Sequence, residues 1–203
     1  DRVTGVQLAS GERIEARRAV VADLNIKQLP ELVAHRFGPE WERKVGRIKP
    51  DSFALLVGHL AVREAPIFKA GAEVTGAGFQ EIAVRLTELL QTFDGLKYGL
   101  PTWTIPSISV ASTWDPTRAP AGKHTLYLLS YAPLQLAEGT WDERKEELFD
   151  KVFDTFCGLT TNMGPDKVLG RVVDSPVDSE RFNMSWPNGD PGHIGSQLFQ
   201  FMG

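Results

Sequence analysis

The sequence predicts an α+β fold, in which a mixed and largely antiparallel sheet is backed by helices. Residues 105–113 and 124–131 are strand-like stretches of similar length, and the turns rich in proline and glycine between them favour an antiparallel pair. A long amphipathic helix is predicted to begin at Trp141. The chain has 203 residues, of which 42% are hydrophobic, so it is long enough to bury a substantial core.

The chain begins with a predicted β-hairpin. Residues 3–8 and 13–16 are strand-like, and Gly11 between them tolerates the positive φ of a tight turn. The small apolar residues 19–22 are typical of a strand buried in a parallel sheet. Asp23 follows directly, and its carboxylate either faces a ligand at the carboxyl edge of that sheet or, as the sequence favours, caps the turn through Asn25.

The middle of the chain alternates helices and strands. Residues 26–35 and 39–45 predict two short helices, and residues 53–62, nearly all apolar, predict a strand buried on both faces. His59 lies inside this strand, where it is either satisfied within the sheet or a ligand contact. Residues 80–84 are a further strand candidate, and leucines at helical spacing predict an amphipathic helix over 86–93.

The strand 124–131 and the helix after it define the predicted core. Alternation places Thr125, Tyr127 and Leu129 on one face of the strand. The opposite face is also weakly polar, so both faces are expected to be covered, and a ligand is one candidate cover. Thr140 and Glu143 form a capping box at the start of the helix. Its apolar face carries six large side chains: Trp141, Leu148, Phe149, Val152, Phe153 and Phe156.

The stretch 174–195 contains an unusual density of turn-forming residues. Pro176 ends a strand over 172–173, and Asp178 is predicted to cap a helical turn over 180–182. Two turn signals then surround Trp186 and His193. Two interpretations remain open, a structural corner with a packed tryptophan and a loop shaped to lie against a ligand.

Composition and motifs exclude several classes of function. The chain has 26 acidic and 22 basic residues with no dense basic run, which argues against a nucleic-acid partner. The single cysteine, Cys157, excludes an internal disulfide and a cysteine zinc cluster and is typical of a reducing, cytoplasmic compartment. No apolar run reaches the roughly 18 residues of a membrane span, so only peripheral membrane contact stays open.

No sequence motif names a catalytic residue or a metal site. The chain lacks the serine elbow of hydrolases, the phosphate-binding loop with its lysine and the histidine pair of zinc proteases. Its four histidines are scattered and have no metal-ligand spacing. Because the first residue is not methionine and the last residues are apolar, we expect the chain to be a piece of a longer protein.

Several short motifs follow one another in an order that suggests a family. They are residues 3–12 with 16 and 20–22, residues 112–116 with 119–124, Trp141 with 143–144, and residues 175–182 with 189–193 and Gln197. In order and spacing the chain resembles the middle of the phytoene desaturase-like FAD-dependent oxidoreductases, in particular the branch called pyridine nucleotide-disulphide oxidoreductase domain-containing protein 2.

The resemblance implies a two-domain flavoenzyme with an α/β parent fold. Residues 1–23 would be a remnant of the FAD domain, residues 24–173 the substrate domain and residues 174–203 the return segment toward the FAD domain. The implied chemistry is hydride transfer from an apolar or amphipathic substrate to FAD. Because the glycine motifs that hold FAD in this family are absent from the chain, the chain alone is not expected to retain FAD.

Candidate site residues follow from the resemblance. His59, Trp103 and Tyr127 are the candidates for substrate binding, and Asp190 and His193 are the candidates for a loop near the flavin. Asp23 is a third cofactor candidate because of its place after residues 19–22. The alternative is a non-catalytic module that binds a hydrophobic ligand or another protein. The sequence sets neither the substrate nor the electron acceptor nor the oligomeric state.

Overall fold

A computed structural model describes residues 2–195 and residue 200. The chain divides into two compact units between Gly46 and Arg47. This boundary differs from the divisions after residues 23 and 173 that the sequence suggested. Residues 24–46 belong to the first unit, and residues 174–195 belong to the second unit together with the large sheet. Gln197, part of the family-like motif, lies outside the described residues.

The first unit is built from a hairpin and short helices. It contains β1 (Gly5–Gln7), β2 (Arg13–Glu15), a 3-10 turn (Ile26–Gln28), α1 (Leu29–Leu32) and α2 (Pro39–Arg47), which ends at the boundary. The antiparallel β1–β2 pair confirms the predicted hairpin. Asn25, not Asp23, caps the 3-10 turn by accepting a hydrogen bond from the Lys27 amide at 3.0 Å.

The predicted buried strand at residues 19–22 is wrong. These residues form no strand, and the side chain of Val21 is 91% exposed. A short apolar run becomes a buried strand only when another strand pairs with it and other elements cover its faces. Local sequence carries no information about either condition.

Up to residue 195, the second unit contains a four-stranded antiparallel sheet and four α-helices. The strands are β3 (Phe53–Val62), β4 (Ser107–Ser109), β5 (His124–Pro133) and β6 (Val168–Asp174), and the helices are α3 (Ala72–Thr75), α4 (Leu86–Leu96), α5 (Trp141–Leu159) and α6 (Pro176–Phe182). Four 3-10 turns connect them at Ala111–Thr113, Pro116–Arg118, Pro165–Lys167 and Pro187–Gly189. The strand order β4-β5-β3-β6 confirms the α+β prediction.

The core lies between one face of the sheet and α5. The even-numbered residues of β3 and β5, such as Leu56 and Leu128, are buried against the apolar face of this helix. All six large side chains that the sequence placed on that face are buried. The Thr140–Glu143 capping box is also confirmed, since each side chain bonds the other residue's backbone amide.

Some predicted element boundaries change. The strand predicted over 105–113 is reduced to β4, because the chain turns into a 3-10 helix at Ala111, and Gln80 forms only an isolated bridge to Ile108. Ser175, not Asp178, is the N-cap of α6. Asp178 is the third helical residue (N3), and its side chain completes the capping box with Ser175. Sequence spacing cannot separate these two roles because both residue types accept hydrogen bonds at a helix start.

Ion pairs fix the strand β6 and the helix α6 to α5. Arg171 of β6 pairs with Glu146 and Asp150 of α5, and Lys145 of α5 donates a hydrogen bond to Asp178 of α6 at 2.8 Å. These contacts lie on the α5 side of the sheet and leave the opposite face of β6 exposed. None of the helices that the structure describes is long and apolar enough to cross a membrane.

Candidate functional site

The second face of the sheet is only partly covered. At one end of this face, Phe93 of α4 packs edge-on or tilted against Phe53 and Tyr131, with ring centroids 5.5 and 4.8 Å away. At the other end of the face Val172 is 60% exposed. The prediction that β3 is buried on both faces is therefore wrong, and the side chain of His59 is 56% exposed. The nearly all-apolar composition of β3 does not reveal which part of its surface remains open.

One row of side chains crosses all four strands on this open surface. The registers pair Ser109 with Tyr127, Tyr127 with His59, and His59 with Val172. Directly paired residues point to the same face of an antiparallel sheet. We call this row, Ser109, Tyr127, His59 and Val172, the open row. Its sequence-predicted members, His59 and Tyr127, are brought together, with their rings in an edge-to-face contact at 5.2 Å between centroids.

The open row forms the floor of a cavity of about 960 Å³. The neighbouring row consists of Thr125, Ala61 and Gly170, which are registered across three strands. Because these side chains are small, they leave room above the sheet next to the ring of Tyr127. Phe79 and Arg118 also line the cavity. Its volume lies at the upper end of the range for small-molecule sites, about 300–1,000 Å³.

Charged and titratable side chains of the lining include His59, Tyr127, Arg118 and Arg171. The Nε2 atom of His59 lies 3.8 Å from Oδ2 of Asp174, which belongs to the next row of the same face and is not itself a lining residue. Burial raises the pKa of Tyr127, which keeps its phenol neutral over the physiological range. The arrangement therefore suits a ligand with a large apolar body and one polar group.

Trp103, the third substrate candidate, is placed elsewhere. It lines a separate cavity of about 530 Å³ with residues of α4 and the loop after it. Its ring lies 4.9 Å from Nζ of Lys151, which is on α5 at the opposite face of the sheet. The structure therefore does not bring Trp103 together with His59 and Tyr127.

The cofactor candidates Asp190 and His193 have separate environments. Asp190 is fully buried, and its carboxylate accepts hydrogen bonds from the Asp51 amide at 2.9 Å and the Gly192 amide at 2.8 Å. Each carboxylate oxygen thus has a backbone donor, so Asp190 holds the loop to the segment before β3. His193 is partly exposed and has a φ of 61°.

Asp23 and Asp190 do not fit a site for FAD. Asp190 is occupied by backbone amides and has no exposed oxygen for a ribose hydroxyl. Asp23 lies in the first unit as an exposed residue. A flavin diphosphate needs a helix start with close backbone approach, usually through a glycine-rich turn. Neither aspartate belongs to such a turn, so these residues supply no FAD-binding chemistry on this structure.

Sequence reasoning missed Asp174, Val172, Ser109 and Gly170 as members of the site. Asp174 was taken only as the beginning of the turn-rich stretch, although it is the last residue of β6. Val172, Ser109 and Gly170 join the cavity, and Asp174 is placed beside His59, through the register of strands that are distant in sequence. A period-two pattern in 168–174 is the one local signal that could have suggested a shared face.

No protein-family model matches the chain, and no curated protein matches it. The relation to flavoenzymes therefore stays a prediction from short sequence motifs, and the cavity is the basis for any statement about function.

Proposed function

We propose that this chain is the substrate-binding part of an FAD-dependent oxidoreductase of the phytoene desaturase-like kind. In this proposal an apolar or amphipathic substrate lies on the open face of the sheet, over His59 and Tyr127. The observation that carries the proposal is the uncovered half of the sheet face, with a cavity of about 960 Å³ above it. A ligand that covers apolar surface of this kind gains about 25 cal/mol for each Å² removed from water.

The architecture supports a role in binding and orientation. One face of the sheet is anchored by the buried side of α5, so the strands that carry the open row are held in a rigid register. A rigid sheet positions a bound molecule with little loss of conformational entropy. The flavin, when bound by the protein, accepts the hydride. In the proposal the residues that hold it are supplied outside the described part of this chain, because Asp23 and Asp190 do not fit that role.

The flavin component has a direct test. The complete coding sequence that contains this chain is expressed, and the visible absorbance of the purified product is recorded before and after addition of FAD. The proposal predicts the absorbance bands of bound flavin and their bleaching by a bound substrate in the absence of oxygen. A product without flavin absorbance, even after FAD is added, would contradict the oxidoreductase proposal.

The non-catalytic alternative is favoured by one observation. The buried carboxylate of Asp190, the cofactor candidate of the loop, is occupied by backbone amides, which supports binding without a cofactor in the described part of the chain. Binding of a neutral apolar dye such as Nile red to this chain, with no flavin in the complete protein, would assign it to a hydrophobic-ligand-binding module. Loss of dye binding in Tyr127→Ala, with unchanged folding by circular dichroism, would place the dye in the cavity.

A further inference from the structure

His59, which lines the cavity, lies beside Asp174, and the two side chains do not satisfy each other. The Nε2 atom of His59 and Oδ2 of Asp174 are 3.8 Å apart, beyond the hydrogen-bond range of about 2.7–3.2 Å. Both side chains are on the same face of neighbouring strands, and 56% and 42% of their surfaces are exposed. Each group therefore keeps hydrogen-bonding capacity toward a molecule in the cavity.

The separation fits one bridging oxygen atom. An atom at about 2.8 Å from both groups, the usual length of a hydrogen bond to oxygen, subtends an angle near a right angle between them. Such an atom must donate to the carboxylate of Asp174 and accept from the ring N–H of His59. A hydroxyl group has both capacities, whereas an ether oxygen only accepts and an ammonium group only donates.

The charges around the cavity disfavour charged head groups. A carboxylate head would face the carboxylate of Asp174 at close range, and like charges at that distance repel. An ammonium head would share the cavity with the guanidiniums of Arg118 and Arg171, which are already paired with carboxylates outside the lining. A neutral head group meets repulsion neither from these guanidiniums nor from Asp174.

We propose that this cavity binds an apolar alcohol, whose hydroxyl bridges His59 and Asp174. Its hydrocarbon body lies over Ala61, Gly170 and Val172 and against the ring of Tyr127. The proposal names the substrate class of the site described above and rests on the proposal that the open sheet face binds a ligand. It makes His59 and Asp174 specificity-determining residues.

The test compares three molecules of equal size and different head groups. Octanol, methyl heptyl ether and nonane compete with Nile red for the chain, and their dissociation constants are measured by fluorescence. A hydrogen bond to a charged group predicts that octanol binds about tenfold more tightly than the ether. The preference should disappear in Asp174→Ala and in His59→Phe, and it should persist in Asp154→Ala, which removes an exposed carboxylate of α5.

The possible outcomes separate the two proposals. If the three molecules bind with equal affinity, the open face is a ligand site and the alcohol proposal is overturned. If a preference for octanol persists in both cavity variants, the hydroxyl does not bridge these residues and the proposal is again overturned. If none of the molecules displaces the dye, or the dye itself does not bind, the ligand-binding role of the sheet face fails as well. Thermal unfolding of each variant confirms that it is folded, and either cavity variant alone suffices for the test.

Discussion

The ring of Phe149 on α5 lies directly against the backbone of Gly58 in the central strand β3. A Cβ atom added at Gly58 would overlap the ring carbons of Phe149. Both residues are buried, and the contact lies in the layer between the sheet and its helix. This close approach holds α5 against one face of the sheet and so leaves the opposite face to the cavity.

We predict that Gly58→Ala destabilises the fold by about 1–3 kcal/mol, because the core has no room for an added methyl group. Gly170→Ala is the matched control, since Gly170 lies in β6 of the same sheet and a Cβ there meets nothing within 4 Å. The control should change the free energy of unfolding by less than about 0.5 kcal/mol. Urea unfolding measures the free energy of unfolding of both variants. Equal losses in the two variants would contradict the close approach.

Asp190 is predicted to stabilise the fold. Asp190→Ala removes the part-buried hydrogen bonds from the amides of Asp51 and Gly192, and each such bond contributes about 0.5–1.5 kcal/mol. His193→Ala, in the same loop and partly exposed, is expected to have a much smaller effect. Thermal unfolding compares the stability of the two variants. An unchanged unfolding temperature in Asp190→Ala, together with altered cofactor content of the complete protein, would restore its role as a cofactor residue.

The contact between α5 and α6 predicts a loss of stability in acid. Burial opposes ionisation of Asp178, but hydrogen bonds from Lys145 and Ser175 outweigh it and hold the pKa of Asp178 below its ordinary value. A lowered carboxyl pKa contributes stability that is complete above the ordinary value of about 3.9. This contribution is lost as the pH falls from there through the lowered pKa.

A variant of Lys145 tests this contact. Lys145→Met keeps the apolar stem and removes the charge, so it should cost about 1 kcal/mol near neutral pH. The difference from the unmodified chain should shrink as the pH falls and Asp178 becomes protonated. Lys97→Met, which breaks an exposed pair with Asp94, serves as control and should have a smaller effect. A cost of Lys145→Met that stays constant in acid would show that charge pairing is not its cause.

Cys157 is predicted to react slowly with thiol reagents in the folded chain. Burial, followed by the nearby carboxylates of Asp154 and Asp166, raises the pKa of the Cys157 thiol to about 11. Since the thiolate is the reactive form, the folded chain near neutral pH presents very little of it. Modification by a chromogenic disulfide should be fast only after unfolding in urea. Rapid modification of the folded chain near neutral pH would contradict the burial of this thiol.

Elements whose signals are local could be predicted from the sequence. The capping box of Thr140 and Glu143 and the helical spacing that begins at Trp141 specify α5 without reference to the rest of the chain. The hairpin around Gly11 is local in the same sense, since its turn residue and flanking strands are adjacent. Residues 19–22 show the limit of prediction from local sequence, because their apolar composition does not reveal whether a partner strand exists.

The candidate site depends on contacts that no local pattern encodes. His59 and Tyr127 were selected as substrate residues, but their shared row exists only through the register of β3 with β5. Asp174 joins them because β6 pairs with the other edge of β3, and a shift of one residue would turn its side chain to the α5 side. Trp103 is of a residue type that often lines cavities, but it lies beside Lys151 of α5.

The most direct test of the ligand-binding face is nuclear magnetic resonance of the isotope-labelled chain during titration with octanol. If the open sheet face is the ligand site, the largest shifts of backbone amide signals will belong to His59, Tyr127 and Val172. The amides around Trp141, on the covered side of the sheet, will remain unchanged. Shifts confined to the surroundings of Trp103 or Trp141, or no shifts at all up to saturation with octanol, would contradict it.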